Sequence, residues 1–278
     1  MTKKEKIISW ILVIFVGVIA LLAISPLVSL FISSLRPSAE LIRNGITLSI
    51  PWNELSMKNY VNMFQNGGNY WTWYFNSLLI SGLTIVLSLF FSSMVGYALA
   101  VYKFKGQQLI FILVLLILMV PFEILMLPLY QLMTTLGMID NYLAVILPMI
   151  VAPVAIFFFR QYAIGLPKEL MESARIDGCS EYGIYLRVMA PLMLPSFAAM
   201  AILQGLGSWN NFLWPLVVLR SNTMFTLPIG LSTLLTPYGN NYDVLIAGSV
   251  MTVLPVIILF LFFQRYFISG LAVGGVKG

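Results

Sequence analysis

Few side chains in this sequence could do chemistry. It contains no histidine and one cysteine, Cys179, and the only acid or base inside its long apolar stretches is Glu123. Without histidine the chain has no His-based zinc site, His general base or His proton relay. It also lacks the Gly-x-x-x-x-Gly-Lys-Ser/Thr loop that binds nucleotide phosphates. We therefore expect no catalytic site, no metal, no cofactor and no internal disulfide.

Glu123 could still act on a solute that crosses a membrane. Counting from Leu109 along a straight helix at about 1.5 Å per residue puts it ~21 Å in, past the midplane. A carboxylate there is costly to bury and by default indicates a functional site, here on a substrate path. The alternative is a satisfied group near the outer mouth, beside Pro121 and Pro128, and the sequence leaves both open.

A second polar group lies in the latter half of the fifth apolar stretch. Its members are Gln204, Gly205, Gly207, Ser208, Trp209, Asn210 and Asn211. Two glycines in three residues can interrupt a helix, and broken helices near the midplane build many transporter substrate sites. Amides beside an indole suit a sugar, which offers hydroxyl groups and a flat apolar face. We expect this group, Asn211 and Ser208 above all, to face a path; hydrogen bonding to a sister subunit is the alternative.

The charged segment, Leu166–Pro191, is flanked on both sides by long apolar runs. It carries seven charged side chains in a protein that is 9% charged, namely Lys168, Glu169, Glu172, Arg175, Asp177, Glu181 and Arg187. Leu166, Leu170 and Ala174 recur every four residues and predict one face of a helix. Glu172 is expected to pair with Lys168 and with Arg175 on the wet face.

Residues typical of helix ends predict a second short helix within the charged segment. Pro167 suits a first turn, and Gly178 suits the left-handed position after a helix. Ser180 can then cap a helix whose apolar face is predicted to hold four side chains at helical spacing, Tyr182, Tyr185, Leu186 and Met189. Two helices with an elbow at Gly178 form either a docking surface or an amphipathic loop resting on lipid headgroups.

Composition indicates that the polar side chains described above are positioned by membrane-spanning helices. Hydrophobic residues make up 60% of the chain and the mean hydropathy is +0.96, far above the roughly 45–50% apolar share of soluble domains. The fold class is therefore an all-α polytopic membrane protein with six helices of about 20 residues or more. The predicted spans are Ile7–Phe31, Phe75–Val101, Leu109–Tyr130, Tyr142–Phe159, Leu192–Leu219 and Val244–Phe263. Ser88, Ser92 and Gly96 are predicted to form a small-residue face for close helix packing.

The distribution of charge predicts the orientation. With both termini in the cytoplasm, eleven Lys and Arg residues fall inside and four outside, which satisfies the positive-inside rule. The outer four are Arg36, Arg43, Lys58 and Arg220. The net charge of +5 is therefore a membrane signal, and we expect a lipid bilayer and no nucleic acid as partner.

The charged segment resembles the "EAA" loop of the membrane subunits of ABC importers. Glu172-Ser173-Ala174, then Gly178 after three residues, then Pro191 match its pattern. The departures are Ser173, Val188 and Ala190, each small or conservative. The resemblance implies a coupling helix seated in a cleft of a cytoplasmic ATPase, with Glu172, Ser173, Ala174, Asp177 and Gly178 as coupling residues. Glu172 would pair with a basic group of the ATPase, and Ala174 would stay small to let the helix enter the cleft.

Further motifs resemble the maltose-type carbohydrate permeases, specifically the shorter six-span partner. They include Gly96-Tyr97-Ala98-Leu99-Ala100, Trp209-Asn210-Asn211-Phe212-Leu213-Trp214-Pro215 and Gly274-Gly275-Val276-Lys277-Gly278. The resemblance implies a type I importer fold, with one transmembrane domain over 1–278 and a permease core over 71–265. Implied partners are a second permease, an ATPase dimer and an extracytoplasmic sugar-binding protein.

An outer segment, Arg220–Asp243, is expected to contact the binding protein. Its tip carries turn formers with aromatic and amide groups that could displace a sugar, including Tyr238, Gly239, Asn240 and Asn241. The alternatives for function are the same architecture carrying glycerol phosphate or another polyol, and a self-sufficient secondary transporter. The latter predicts inverted repeats and coupling carboxylates, and only Glu123 could serve as such a carboxylate.

Overall fold

A computed structural model describes residues 3–37, 52–53, 55–236 and 239–275. The helices in chain order are α1 (Lys3–Ser34), α2 (Lys58–Asn66), α3 (Tyr70–Val101), α4 (Gln107–Leu118), α5 (Phe122–Thr135), α6 (Tyr142–Ile146), α7 (Pro153–Ile164), α8 (Lys168–Ile176), α9 (Glu181–Ile184), α10 (Ala190–Leu192), α11 (Leu194–Trp209), α12 (Leu213–Val218), α13 (Leu227–Thr233) and α14 (Tyr242–Gly275). Short 3₁₀ turns span Leu147–Met149 and Asn222–Met224, and a π-helical turn spans Tyr185–Met189. Strands β1 (Leu235–Thr236) and β2 (Gly239–Asn240) pair antiparallel.

Long apolar helices dominate the described chain. Four stretches are long and apolar enough to cross a bilayer: α1, α3, the broken stretch Tyr142–Ile164, and Tyr242–Arg265 within α14. Two bent helix pairs also qualify, α4 with α5 and Glu181–Leu192 with α11. Counting each bent pair as one span gives six, as the sequence predicts. The chain is a multi-pass membrane protein.

The predicted third span is not straight. α4 and α5 meet at a bend of 104°, and Pro121, which has no N–H to donate, stands at the start of α5. Glu123 therefore lies in the first turn of α5 and not in the fourth turn of one long helix. The depth counted along a straight helix is wrong for this reason, whereas Pro128 is accommodated inside α5.

The predicted interruption of the fifth span is displaced by a few residues. α11 runs through both Gly205 and Gly207 and ends at Trp209. A Cβ on Gly205 would lie 2.5 Å from a Leu259 methyl, so this glycine serves close packing. The break follows at Asn210, whose side-chain amide donates to the carbonyl of Leu206 at 3.0 Å and satisfies a group at the helix end.

Close packing of α3 follows the predicted small-residue face. A Cβ on Gly96 would lie 2.7 Å from Phe159 Cβ and 2.8 Å from the carbonyl oxygen of Ile156. Ser92 Oγ accepts a hydrogen bond from the N–H of Ala152 at 3.1 Å, and Ser88 is fully buried. These contacts bring α3 against α7, and the prediction is confirmed.

The described chain divides into two compact units, Met1–Trp71 with Gly230–Leu254, and Thr72–Ile229 with Pro255–Gly278. In the first unit Asn59 fastens α2 to the end of α1, since its amide donates to the carbonyls of Ser34 and Arg36 at 2.8 and 2.7 Å. The second unit contains the charged segment and the polar group of α11, and its buried side chains include two large clusters.

These two clusters lie toward opposite ends of α3. One includes Tyr97 and packs the charged segment, and the other includes Ile80 and the indole of Trp214. Seventeen residues separate Ile80 from Tyr97, which corresponds to about 25 Å along a helix. The structure thus supports two distinct sites, one at each cluster.

Candidate functional site

The charged segment folds as the sequence predicts in its outline. α8 follows Pro167 directly and ends at Ile176, and Gly178 turns the chain in the left-handed conformation with φ +80°. Nothing lies within 4 Å of a Cβ placed on Gly178, so its backbone conformation and not crowding requires glycine. Ser180 Oγ accepts from the N–H of Gly183 at 3.2 Å, which confirms the predicted cap of α9.

The buried face of the charged segment differs from the predicted one. Met171 and Ala174 of α8 are buried, whereas Leu170 is exposed. Beyond the elbow, Tyr185 and Met189 are buried as predicted, but Tyr182 and Leu186 are exposed and Ile184 takes their place. The π-helical turn from Tyr185 to Met189 changes the number of residues per turn, so a 3.6-residue pattern does not track this face.

Ala174 is small for a reason other than the one expected. It is 7% exposed and packs inside the chain beside Met171, in the cluster that holds Phe159 of α7. Its side chain therefore faces the body of this subunit and not an outside cleft. The exposed positions of the predicted coupling set are Glu172, Ser173, Asp177 and Gly178.

Tyrosines join the charged segment to the end of α3. Ser93 and Tyr185 share a hydrogen bond of 2.6 Å between their hydroxyls, and the Tyr97 hydroxyl donates to Met171 Sδ at 3.4 Å. The Tyr97 and Tyr185 rings lie 5.2 Å apart. These contacts attach the charged segment to the end of α3.

Glu181 is the electrostatic centre of this junction. It receives a hydrogen bond from the Tyr102 hydroxyl at 2.6 Å and a bidentate pair from Arg175 at 2.6 and 3.1 Å. Burial, and next the bond to Glu181, raise the pKa of the Tyr102 phenol. The bond to Glu181 likewise raises the pKa of Arg175. Arg175 thus pairs across the elbow with Glu181, and the predicted pairing with Glu172 is wrong.

A cavity of about 280 Å³ lies where α8 meets the ends of α3 and α7. Four charged side chains line it, Lys103, Lys168, Glu172 and Arg175. Close by, Ile176 is 87% exposed and Tyr182 is 74% exposed. Charged and large apolar side chains thus share the outer surface of the charged segment.

The path cavity, at the start of α5, is lined by part of the other predicted polar group. It measures about 290 Å³ and brings Glu123 together with Asn210 and Asn211. Its remaining lining residues are Phe122, Met126, Gly207, Phe212, Leu213 and Trp214. Nothing lies within 4 Å of a Cβ on Gly207, so this glycine leaves room in the cavity.

Two predicted path residues lie elsewhere. Gln204 and Ser208 are half-buried on α11 and do not line the path cavity. The indole beside the amides is that of Trp214, whose Nε1 donates to the carbonyl of Ala144 at 3.0 Å. Trp209, the indole expected there, is buried with its ring 5.8 Å from that of Tyr74. The helix break after Trp209 turns the two indoles to different sides.

Comparison with known proteins identifies the family. The profile of the binding-protein-dependent transport system inner membrane component matches residues 85–273. This chain belongs to that family. An arabinooligosaccharides transport system permease of Halalkalibacterium halodurans is 67% identical over 276 residues, covering 99% of both chains. A Bacillus subtilis permease of the same description is 62% identical, covering 96% of this chain and 95% of its own. The predicted resemblance to carbohydrate ABC permeases is confirmed.

More distant relatives share the fold. A lactose transport system permease of Rhizobium radiobacter is 31% identical over 93% of this chain and 92% of its own. A chain in the crystal structure of a bacterial ABC transporter that imports the acidic polysaccharide alginate matches with a TM-score of 0.81. It is 22% identical, and the match covers 96% of this chain and 99% of that chain. The permease therefore has the architecture of an ABC importer subunit.

One set of hydrogen bonds in this permease, between two connecting segments, was not predicted from its sequence. Asp140, at φ 61°, accepts hydrogen bonds from the N–H groups of Arg220 and Ser221 at 2.9 and 3.0 Å and from the Ser221 hydroxyl. The Ser221 hydroxyl, followed by these two N–H groups, holds the pKa of the Asp140 carboxyl below its usual value. The signal was an aspartate in the Ile-Asp-Asn turn, a residue type that tolerates the left-handed region.

The observed contacts agree with the predicted assignment of the segments between spans to one or the other side of the membrane. The turn at Asp140 and the segment at Arg220, both assigned to the outside, contact each other. Tyr102 and Glu181, both assigned to the cytoplasm, do so as well. Which of the two sides is cytoplasmic stays a prediction.

The predicted binding-protein loop is only partly described. Tyr238 lies outside the described residues, and Gly239 and Asn240 form β2, which pairs with β1. Asn241 Oδ1 accepts from the N–H of Val244 at 3.2 Å and caps the start of α14. This local role accounts for the amide at Asn241 without a partner protein.

Proposed function

We propose that this chain is the permease subunit of an importer for arabinose-containing oligosaccharides. The observation that carries the proposal is the similarity of 67% and 62%, over nearly the whole chain, to two permeases described as transporting arabinooligosaccharides. The transmembrane domain would extend over 1–278 with its permease core at 71–265, and both termini would lie in the cytoplasm. A second permease would complete the path, and a binding protein outside the cell would deliver the sugar.

The charged segment is proposed to dock on a cytoplasmic ATPase dimer, which would supply the ATP hydrolysis. Two features support docking. A surface that combines exposed Leu170, Ile176 and Tyr182 with charged side chains is typical of a protein interface. The cavity lined by Lys103, Lys168 and Glu172 adds a recess into which a partner side chain could fit.

The same segment is built to transmit force. Short segments that must move helices need fixed attachments, and here the Tyr185–Ser93 and Tyr97–Met171 hydrogen bonds connect α8 and the π-helical turn to α3. The Arg175–Glu181 pair holds the two arms of the elbow together. A pull on α8 by the ATPase would therefore reach the spans as a displacement and would not be lost in a flexible loop.

The path cavity is proposed as part of the sugar route. Asn210 and Asn211 offer amide donors and acceptors, Glu123 offers acceptors, and Phe122 offers aromatic surface, which together suit a hydroxyl-rich ring. Its volume lies at the lower end of small-molecule sites, roughly 300–1,000 Å³. A sister permease would add the remaining walls. Gln204 and Ser208, which do not line it, are proposed to contact that sister.

The outer segment Arg220–Asp243 is proposed to contact the binding protein. Arg220 is fixed by two anchors, since its N–H bonds Asp140 and its guanidinium donates to the Tyr130 hydroxyl at 2.6 Å. The start of the segment is thus fixed, and its predicted contact residues are Tyr238, Gly239, Asn240 and Asn241.

Uptake by whole cells tests the proposed function. A strain deleted for the gene of this chain should lose uptake of radiolabelled arabinotriose and regain it from a plasmid copy. Uptake of a sugar with its own transporter serves as the control for membrane energy. Normal arabinotriose uptake in the deletion strain, with lost uptake of another oligosaccharide, would show that this other sugar is the substrate. Pull-down of the ATPase and the sister permease with the tagged chain tests the assembly separately.

A further inference from the structure

We infer that Glu123 makes the path selective by charge, so that it accepts uncharged oligosaccharides and rejects acidic ones such as uronates and sugar phosphates. The inference rests on the proposed function, because it assigns a substrate class to the path cavity. It also gives a function to Glu123, which is exposed and has no role in helix packing.

The first support is the set of charges around the cavity. Its lining, within the described part of the chain, includes the carboxylate of Glu123 and no Lys or Arg. Sites that bind carboxylates or phosphates use Arg, Lys or converging backbone N–H groups. A lone carboxylate in a membrane cavity does the reverse and lowers the local concentration of anions.

The second support is that the polar groups of the cavity are free to bind. Among the described residues, the Glu123 carboxylate and the Asn211 amide have no hydrogen-bond partner, and Glu123 is exposed to the cavity. A carboxylate is an acceptor only. It therefore suits the hydroxyl donors of a neutral sugar and cannot donate to the oxygens of an acidic one.

The third support explains how a negative charge is accommodated there. The bend between α4 and α5 places Glu123 in the first turn of α5, where the helix dipole favours an anion. The carboxylate thus has a local stabilising field without a cationic partner. A second negative charge within ~5 Å, at an effective dielectric constant of about 20, would be disfavoured on the order of a hundredfold.

Cysteine labelling can measure this charge preference directly. Cys179 is the single cysteine, so Cys179→Ser gives a background into which Asn211→Cys is introduced as a reporter in the assembled transporter in proteoliposomes. The two probes are methanethiosulfonates of similar size, one with a trimethylammonium group and one with a sulfonate. The measured quantity is the labelling rate of the cationic probe divided by that of the anionic probe. We expect this ratio to be about tenfold or more higher with Glu123 present than in the Glu123→Gln variant.

Two further variants guard this result. Leu213→Cys, at an exposed lining residue, is a second reporter if Asn211→Cys does not assemble. Thr223→Cys, on an exposed turn away from the cavity, is the control, and its probe ratio should not change with Glu123→Gln. An unchanged ratio at both reporters, or no reaction of either reporter with either probe, would overturn the inference.

A matched pair of ligands tests the substrate class. Arabinotriose should slow the labelling of Asn211→Cys, whereas the same sugar oxidised to its aldonic acid should not; in Glu123→Gln both should protect. Equal protection with Glu123 present, or protection by neither sugar, would contradict the inference. Uptake of arabinotriose by the wild-type transporter is scored separately. If the wild-type transporter takes up no arabinotriose but shows the expected probe ratio, the proposed substrate is refuted and the charge preference stands.

Discussion

The charged segment and the path cavity use their polar side chains in opposite ways. In the charged segment Glu181 is bound by both Tyr102 and Arg175, and Ser180 caps a helix. In the path cavity the Glu123 and Asn211 side chains have no partner among the described residues. Groups bound within the chain make a segment stiff, whereas free groups can bind a solute. The difference indicates a mechanical role for one region and a binding role for the other.

The largest expected effect comes from breaking the elbow of the charged segment. Gly178→Val places a β-branched residue at φ +80°, which costs roughly 1–2 kcal/mol or more of strain and shifts the direction of α8. We expect uptake to be lost and ATPase attachment to weaken, as measured by transport and pull-down. Gly165→Ala, at an ordinary backbone conformation with its nearest neighbour 3.5 Å away, is the matched control. Full uptake and full ATPase recovery in Gly178→Val would show that the elbow is not needed.

The next effect separates binding from assembly in the path cavity. Asn211→Leu removes a free amide and should lower arabinotriose uptake several-fold, because a sugar hydroxyl loses its partner at about 1 kcal/mol or more per hydrogen bond. Gln131→Leu, exposed on α5 and outside the cavity, should leave uptake close to that of the wild type. If the two variants lose uptake equally, or if Asn211→Leu fails to assemble, the amide serves helix packing.

A smaller effect, on stability, tests the tight packing of the charged segment. Ala174→Leu would force a larger side chain into a position that is 7% exposed, at a cost of about 1–3 kcal/mol. The thermal unfolding midpoint of the purified complex should fall. Ser173→Leu, the exposed neighbour on α8, should leave the midpoint nearly unchanged. Equal midpoints for the two variants would mean that Ala174 is not packed as described.

The smallest effect concerns the outer tie at Asp140. Its pKa is lowered in the folded protein, so its stabilisation is present above the unfolded value of about 3.9 and is lost as pH falls through the folded value. Asp140→Asn should therefore unfold at a slightly lower temperature than the wild type at pH 6–8, by an amount that shrinks below about pH 4. A difference that grows at acidic pH would contradict the assigned hydrogen bonds.

Local signals in the sequence predicted the charged segment well. Pro167, Gly178 and Ser180 each act on the backbone next to them, so their roles could be read from residue type and spacing. The buried face could not be read in the same way. Residue spacing does not indicate which side packs inward, because α8 has apolar residues on both faces and the π-helical turn alters the helical spacing. Leu170 and Tyr182 share predicted faces with buried residues but are exposed.

The path cavity was predicted less completely because it depends on the relative direction of helices. Glu123, Asn210 and Asn211 were identified as candidates from their polarity inside apolar stretches. Their meeting in one cavity follows from the 104° bend before α5 and the break after Trp209. Composition does not specify such angles, and the predicted break at Gly205–Gly207 failed because glycine is tolerated in membrane helices that pack closely.

One measurement tests the contrast between the two regions most directly, the number of sugar molecules imported per ATP hydrolysed. It is determined in proteoliposomes with binding protein present, for the wild type, Gly178→Val and Asn211→Leu side by side. We predict that Asn211→Leu lowers this ratio while stimulated hydrolysis persists, whereas Gly178→Val loses stimulated hydrolysis and uptake together. The same pattern in both variants, or persistent stimulation in Gly178→Val, would contradict the division into a mechanical and a binding region.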